Sequence, residues 1–300
     1  MPSHDTLSDF FKRLKPEYFA SVFIEWTKQI CQLTEGEVIA IDGKTVRRSH
    51  QRFKGKSAIH LVSAWASNNH IVLGQQAVDE KSNEITAIPN LLQLLEIKGG
   101  LISIDAMGCQ QEIAKQIVAA EADYLLAVKG NQAQLLEGVQ DCFKLQKVNS
   151  HTSTIEKQHG RIEQRSCSVI HQPTEIIGHQ KWEKLQSVIR IQSKREILAT
   201  HKITEETRYY ICSQFIHAKD ALNAVRSHWS IENNLHWVLD MQFREDESRM
   251  CSGYSDQNFA LIRKIVLNLM ALDKKYKMSV NRKRLRASRN DEFRQYLLRV

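Results

Sequence analysis

Long apolar runs are missing from this chain of 300 residues. Its longest, such as Ile117–Ala120 and Tyr124–Val128, fall far short of the roughly 20 residues that a membrane-spanning helix needs. The opening MPSHDTLSDFFKRLK has no apolar core of the kind a secretory signal requires. A cytoplasmic protein without a membrane partner is therefore expected. Paired cysteines are also missing. Cys31, Cys109, Cys142, Cys167, Cys212 and Cys251 are scattered with no CxxC spacing, so reduced thiols are expected rather than a disulfide framework or a zinc site. Nothing in the composition is collagen-like or disordered, and there is no internal repeat or low-complexity stretch.

What is present suffices for one large domain or two ordinary ones. Hydrophobic residues make up 42% of the chain, enough for a substantial core. The net charge is +8, and its placement matters more than its size. Asp273–Val300 holds ten Lys/Arg against three Asp/Glu, leaving 32 basic and 31 acidic residues in the nearly neutral remainder. Such a tail can neutralise several phosphates; a solvated terminal segment is the competing reading.

Apolar spacing predicts two short helices within Phe10–Ile30, with Ser8 as a cap and Pro16 as a breaker. A short strand, Glu37–Ile41, leads into Asp42–Gly43, followed by a basic loop over Lys44–Lys56. Strands are expected at Ala58–Ala66 and Ile71–Ala77 around the turn signal Asn68–Asn69, then a helix over Ser82–Glu96. Leu101–Ile104 is a compact strand ending at Asp105; Gln110–Ala120 and Asn131–Phe143 are helical, with Tyr124–Val128 a strand between them. Strands alternating with helices after an opening meander predict an α/β sheet layered by helices. From Val148 to Gln214 the β-prone pieces Ile162–Ile170, Leu185–Ile191 and Thr207–Cys212 predict a β-rich insertion. Helical character returns over Ala218–Leu239 and Asp256–Leu272, with a short helix expected at Asp291–Leu298. The expected divisions are 1–36 (helical), 37–147 and 216–272 (catalytic domain), 148–215 (insertion) and 273–300 (basic tail).

Asp42 and Asp105 each follow an apolar strand, a rigid mount whose side chain can enter the crevice at the strand ends. Two such carboxylates suit hard cations such as Mg²⁺ or Mn²⁺, although turns also favour aspartate. A third acid, Glu232, falls on a helical stripe with Val225, Trp229 and His236. An inward carboxylate on that stripe needs a partner: a metal, Arg226 or a neighbouring histidine, or else a plain helix salt bridge. Asp240, Glu245 and Asp246 are alternative third acids.

The segments AIDGKTVRRS (40–49), LVSAW (61–65), LGQQAVDEKSNEITAIPNLL (73–92), ISIDAMGCQ (102–110), ADYLLAVKGNQ (122–132), HGRIEQR (159–165) and HWSIENNLHWVLDMQFREDESR (228–249) keep one order along the chain. Through them the sequence resembles the DDE-type insertion-sequence transposases, in the group containing the bacterial H-repeat-associated proteins. The resemblance implies a ribonuclease H-like mixed sheet flanked by helices, with a β-rich insertion before the acidic helix. It also implies a catalytic and metal-binding triad of Asp42, Asp105 and Glu232, holding two Mg²⁺ or Mn²⁺ ions. Family members usually begin well before the point matching PSHDTLSDFF, so an N-terminal shortening is expected. The Tyr, Arg and Lys that related transposases place around the glutamate fall here on Val225, His228 and Leu239.

The implied partner is double-stranded DNA, ideally the terminal repeats of an insertion sequence, with a homo-oligomer in a synaptic complex and nucleoid association when bound. The candidate contacts are Lys44, Arg47, Arg48, Lys129, Asn131, His159, Arg161, Arg226, His228, Arg282, Lys283 and Arg284. Turn signals offer rival roles for Asn131, His159 and Arg161. Three functional readings stand at this point: a transposase; a shortened, transposition-defective relative keeping the fold and DNA binding; and a metal-dependent nuclease or non-catalytic interaction protein.

Overall fold

A computed structural model describes residues 3–50, 55–78 and 83–300. Arg52 and Lys54 of the basic loop and Ser82 of the third expected helix fall outside them. The chain forms two compact units: Met1–Glu96 with Ser230–Val300, and Ile97–Trp229.

The first unit opens with α1 (His4–Arg13) and α2 (Pro16–Ile30). Ser3 caps α1 by accepting the Thr6 N–H at 3.1 Å, so the expected cap Ser8 is an interior residue instead. Pro16 does start α2, where its missing N–H has no intrahelical partner to lose. The strands β1 (Val38–Thr45), β2 (His60–Ala66) and β3 (Ile71–Val78) form an antiparallel meander with β2 in the middle. Glu37 fixes the β2–β3 turn, its carboxylate accepting the Asn68 and Asn69 N–H groups at 3.1 and 3.0 Å. Then α3 (Glu84–Leu94) begins at an Asn83 cap.

In the second unit β4 (Leu101–Ile104), α4 (Gln111–Ala119), β5 (Asp123–Val128) and α5 (Ala133–Leu145) alternate, with β4 and β5 parallel. The expected β-rich stretch is a four-stranded antiparallel meander: β6 (Ser150–Gln158), β7 (Arg161–His171), β8 (Ser187–Ile197) and β9 (Lys202–Cys212). It is not a separate sheet, because β9 pairs antiparallel with β5 from Leu125↔Cys212 to Val128↔Tyr209. The helix α6 (Ala218–His228) closes this unit.

Within the first unit again, a π-helical turn (Glu232–His236) leads into α7 (Trp237–Phe243), then α8 (Ser255–Leu272), α9 (Val280–Arg289) and α10 (Asp291–Leu297). One core unites these pieces: Phe23 and Ile24, Ala40, Trp65, Val72, Ile231, Leu235, Leu239, Leu261 and Leu267 are mutually packed and buried. Each large apolar side chain so buried contributes about 1.5–3 kcal/mol. The Asn268 side chain grips β3 by its backbone, accepting the Val72 N–H and donating to the Val72 carbonyl, both at 2.9 Å. Among the described residues no helix is long and apolar enough to cross a membrane. The observed class is α/β with mixed sheet pairing and flanking helices, in the element order expected of a ribonuclease H-like fold.

Candidate metal centre and acidic site

Asp42 lies inside β1 rather than after it. The ladder with β2 continues through Asp42↔Ser63, Gly43↔Val62 and Lys44↔Leu61 to Thr45↔His60. Side chains alternate along a strand, so Asp42 and Lys44 share one face and Gly43 takes the other. That other face is occupied: His60 and Glu84 pair at 2.6 Å, and a Cβ on Gly43 would lie 2.1 Å from the Glu84 carboxylate. The glycine therefore lets the strand run on beneath this pair. Asp42 is half-buried, and its Oδ1 accepts the Gly43 N–H at 2.9 Å.

The π-turn presents Glu232 and His236 to Asp42. It is closed by the Trp237 N–H donating to the Glu232 carbonyl, five residues back; such widened turns often sit at functional sites. His236 is buried, with Nδ1 3.7 Å from Asp42 Oδ2 and 3.9 Å from Glu232 Oε2. Ligand-capable atoms of Asp42, Glu232 and His236 all lie within 4.8 Å of one another. Two carboxylates and an imidazole at this spacing suit a divalent cation. The inward stripe expected through Trp229 is not what forms. Trp229 is 42% exposed, and the Glu232 side chain is 52% exposed. The α-helical period breaks between α6 and the π-turn, so the extrapolated face was wrong.

The alternative third acids are engaged elsewhere. Lys44 Nζ donates to Asp240 at 2.6 Å, Glu245 at 3.0 Å and Asp246 at 3.4 Å. Burial opposes the charge on Lys44, yet Glu245 and Asp240 together outweigh it and raise its pKa above the ordinary lysine value. Asp240 is also raised, because its own burial outweighs the Lys44 bond. Arg47 joins this group through Asp246, its backbone N–H donating at 3.2 Å and its guanidinium lying at 3.3 Å.

In the second unit Asp105 follows β4 directly, as expected. It caps the short 3-10 turn Ala106–Gly108 by accepting the Met107 N–H at 3.0 Å, and is half-buried. Asn131 steadies the same turn, donating to the Ala106 carbonyl at 2.7 Å, and Gln132 donates to Cys109 at 2.9 Å.

Residues 33–269 match the family model described as the transposase DDE domain. The chain belongs to the DDE transposases. Among relatives of this family, the transposase-class protein YncI of Escherichia coli O157:H7 is 41% identical over 298 residues, covering 97% of this chain and 76% of that one. The H repeat-associated protein YhhI of Escherichia coli K12 is 40% identical over 307 residues, covering 100% of this chain and 80% of its own. These place the chain in the H-repeat-associated group of insertion-sequence transposases. Among solved structures, the piggyBac transposase synaptic complex with hairpin DNA aligns at TM-score 0.43 and 12% identity, over 98% of this chain and 63% of that chain.

For a DDE transposase the placement of the expected DNA contacts matters, and they divide clearly. Arg47, Arg48, Lys129 and Arg282 are exposed. Arg48 shares a surface hollow with His50, Arg249 and Cys251. Lys283 is buried instead: its ammonium donates to the Met270 and Asp273 carbonyls, both at 2.8 Å, and pairs with the Asp273 carboxylate at 2.9 Å, closing the end of α8. Arg284 lies over the Phe243 ring at 5.7 Å. Arg226 pairs with Glu156 at 2.6 Å. His159 and Gly160, both with positive φ (50° and 71°), form the two-residue turn of the β6–β7 hairpin, and Arg161 follows it. His228 is buried, and desolvation pushes its pKa down to about 4, so the imidazole is neutral. Sequence reasoning put His236 on the stripe of Glu232 and offered a neighbouring histidine as its partner without naming it a ligand, and it missed α9 altogether. The four-residue step from Glu232 was the signal available for His236.

Proposed function

We propose that this chain performs divalent-metal-dependent hydrolysis and strand transfer of phosphodiesters at insertion-sequence ends, with Asp42, Asp105 and Glu232 as its catalytic carboxylates. The observation that carries the proposal is the approach of Asp42 and Glu232, from β1 and the distant π-turn, to one cation-sized cluster. Asp105, directly after β4, is assigned as the third carboxylate on the resemblance of its motif ISIDAMGCQ to the family.

Asp42, Asp105 and Glu232 would hold the divalent metal, which when bound would supply activation of the attacking oxygen and stabilisation of the departing 3′ oxygen. The chain's own part is to hold the carboxylates rigidly. Asp42 is fixed by the β1–β2 ladder, which continues before and after it, Asp105 by its cap and by Asn131, and Glu232 by the buried neighbours Ile231 and Leu235. In hydrolysis a water oxygen bonds to phosphorus as the P–O3′ bond breaks. In joining, the freed 3′-hydroxyl oxygen bonds to a target phosphorus as that phosphodiester's own P–O3′ bond breaks, releasing the target 3′-hydroxyl. Phosphate contacts are assigned to the exposed cations Arg47, Arg48, Lys129 and the α9 face of Arg282, Arg286 and Arg289, which recur at i, i+4 and i+7.

The test is Mg²⁺- or Mn²⁺-dependent cleavage and joining of the parent element's terminal DNA, beside Asp105→Asn and Glu232→Gln. Both variants should bind DNA and neither should cleave. Cleavage of unrelated DNA without joining would instead identify a nuclease. DNA binding with no metal-dependent activity in the unaltered chain would identify a transposition-defective relative.

A further inference from the structure

We infer that His236 gives an imidazole nitrogen to the cation held by Asp42 and Glu232, and that this donor set selects Mn²⁺ over Mg²⁺. The inference rests on the metal-dependent reading above and goes beyond it by naming a ligand and the ion.

Distance is the first ground. An ion about 2.1 Å from each ligand holds neighbouring ligand atoms ~3 Å apart and opposed ones ~4.2 Å apart. Nδ1 of His236 lies 3.7 Å from Asp42 and 3.9 Å from Glu232, between those limits, so one ion spans all three after small carboxylate rotations.

Rigidity is the second. His236 is only 6% exposed, and Leu235 on its turn and Leu239 on the adjoining α7 lie in the central core. Swinging it away would require repacking those side chains. It is therefore aimed at the cluster before any ion arrives, which lowers the ordering cost of ligation.

Charge is the third. The two carboxylates balance one dication, and a neutral imidazole adds a donor without excess negative charge. Lys44, on the same strand face as Asp42, does not compete, because its ammonium is held by Asp240, Glu245 and Asp246.

The selection follows from ligand chemistry. Mg²⁺ is hard, demands near-ideal octahedral oxygen coordination and gives up water reluctantly. Nitrogen donors suit transition ions better. Replacing one oxygen by imidazole therefore weakens Mg²⁺ more than Mn²⁺.

The experiment is pulsed electron paramagnetic resonance on the full chain loaded with one equivalent of Mn²⁺, alongside Mn²⁺ and Mg²⁺ titrations. The expected result is a ¹⁴N modulation on bound Mn²⁺ that disappears in His236→Asn. Mn²⁺ affinity should fall tenfold or more in that variant, and Mg²⁺ affinity distinctly less. His236→Gln serves if the asparagine variant does not fold. Mn²⁺ bound in an Asp42-dependent way but without ¹⁴N modulation would overturn the role of His236, as would equal affinities for the two ions. Mn²⁺ affinity unchanged by Asp42→Asn would overturn the metal-dependent reading itself.

Discussion

Lys44→Met strips a single cation from three carboxylates, and the structure sets what this should cost. Glu245 is 1% exposed and 3.0 Å from the lysine, whereas Asp240 and Asp246 keep 30% and 23% of their side-chain exposure. Water can partly solvate the latter two. Glu245 would retain Arg263 at 3.8 Å, too long for a direct hydrogen bond. Removing one partner of a buried pair typically costs 3–5 kcal/mol, and Arg263 offsets part of it, so a loss of about 3 kcal/mol is expected. Urea denaturation at pH 7.5 measures it. Glu245→Gln in the same chain removes the stranded charge and should recover at least half. The loss should also shrink on acidification. Asp240 has its pKa raised by burial and lowered by Lys44; without the lysine it rises further, so the variant gains stability relative to the parent as pH falls through that range. A Lys44→Met chain within about 0.5 kcal/mol of the parent, or a double variant no more stable than the single one, would refute the reasoning.

His228 gives a second pH signature. Its folded pKa of about 4 lies below the ordinary histidine value of 6.5, so the unfolded state takes up the proton first and stability falls as pH drops between them. The gap corresponds to about 3 kcal/mol, and His228→Gln should remove that share of the acid sensitivity in denaturation curves taken from pH 7 to 4. Asn268→Ala leaves the Val72 N–H and carbonyl without their side-chain partner; a loss of roughly 2–4 kcal/mol and faster amide exchange at Val72 are expected. Converting Arg282, Arg286 and Arg289 together to Ala should lower the salt-dependence slope of DNA binding by up to ~2.7 if each meets one phosphate. An unchanged slope would exclude the α9 face as the contact.

Much of this protein was legible before any coordinates. Apolar periodicity located α2, β2, β3, α3, β4, α4, β5 and α8, because those segments bury one regular face and the period records it. The strand end at Asp105 was equally plain, since Leu101–Ile104 is wholly apolar and the aspartate is the first residue beyond it. Polar stretches were harder. β6, with the sequence SHTSTIEKQ, alternates exposed and half-buried positions without an apolar signal, and half of α9 is cationic. For β6 the neighbouring strand, not the composition, makes it regular.

The sequence by itself determined the family and the order of its elements, because ordered motifs and local periodicity are written along the chain. Tertiary structure alone decided who faces whom. Asp42 reaches Glu232 and His236 across nearly two hundred residues because β1 and the π-turn bury their flanks in one core. Lys44 and Lys283, both basic on paper, spend their charges inside the protein on carboxylates and carbonyls. Neither outcome follows from residue type, since a lysine's role depends on whether oxygen atoms from distant segments surround it once water has been excluded.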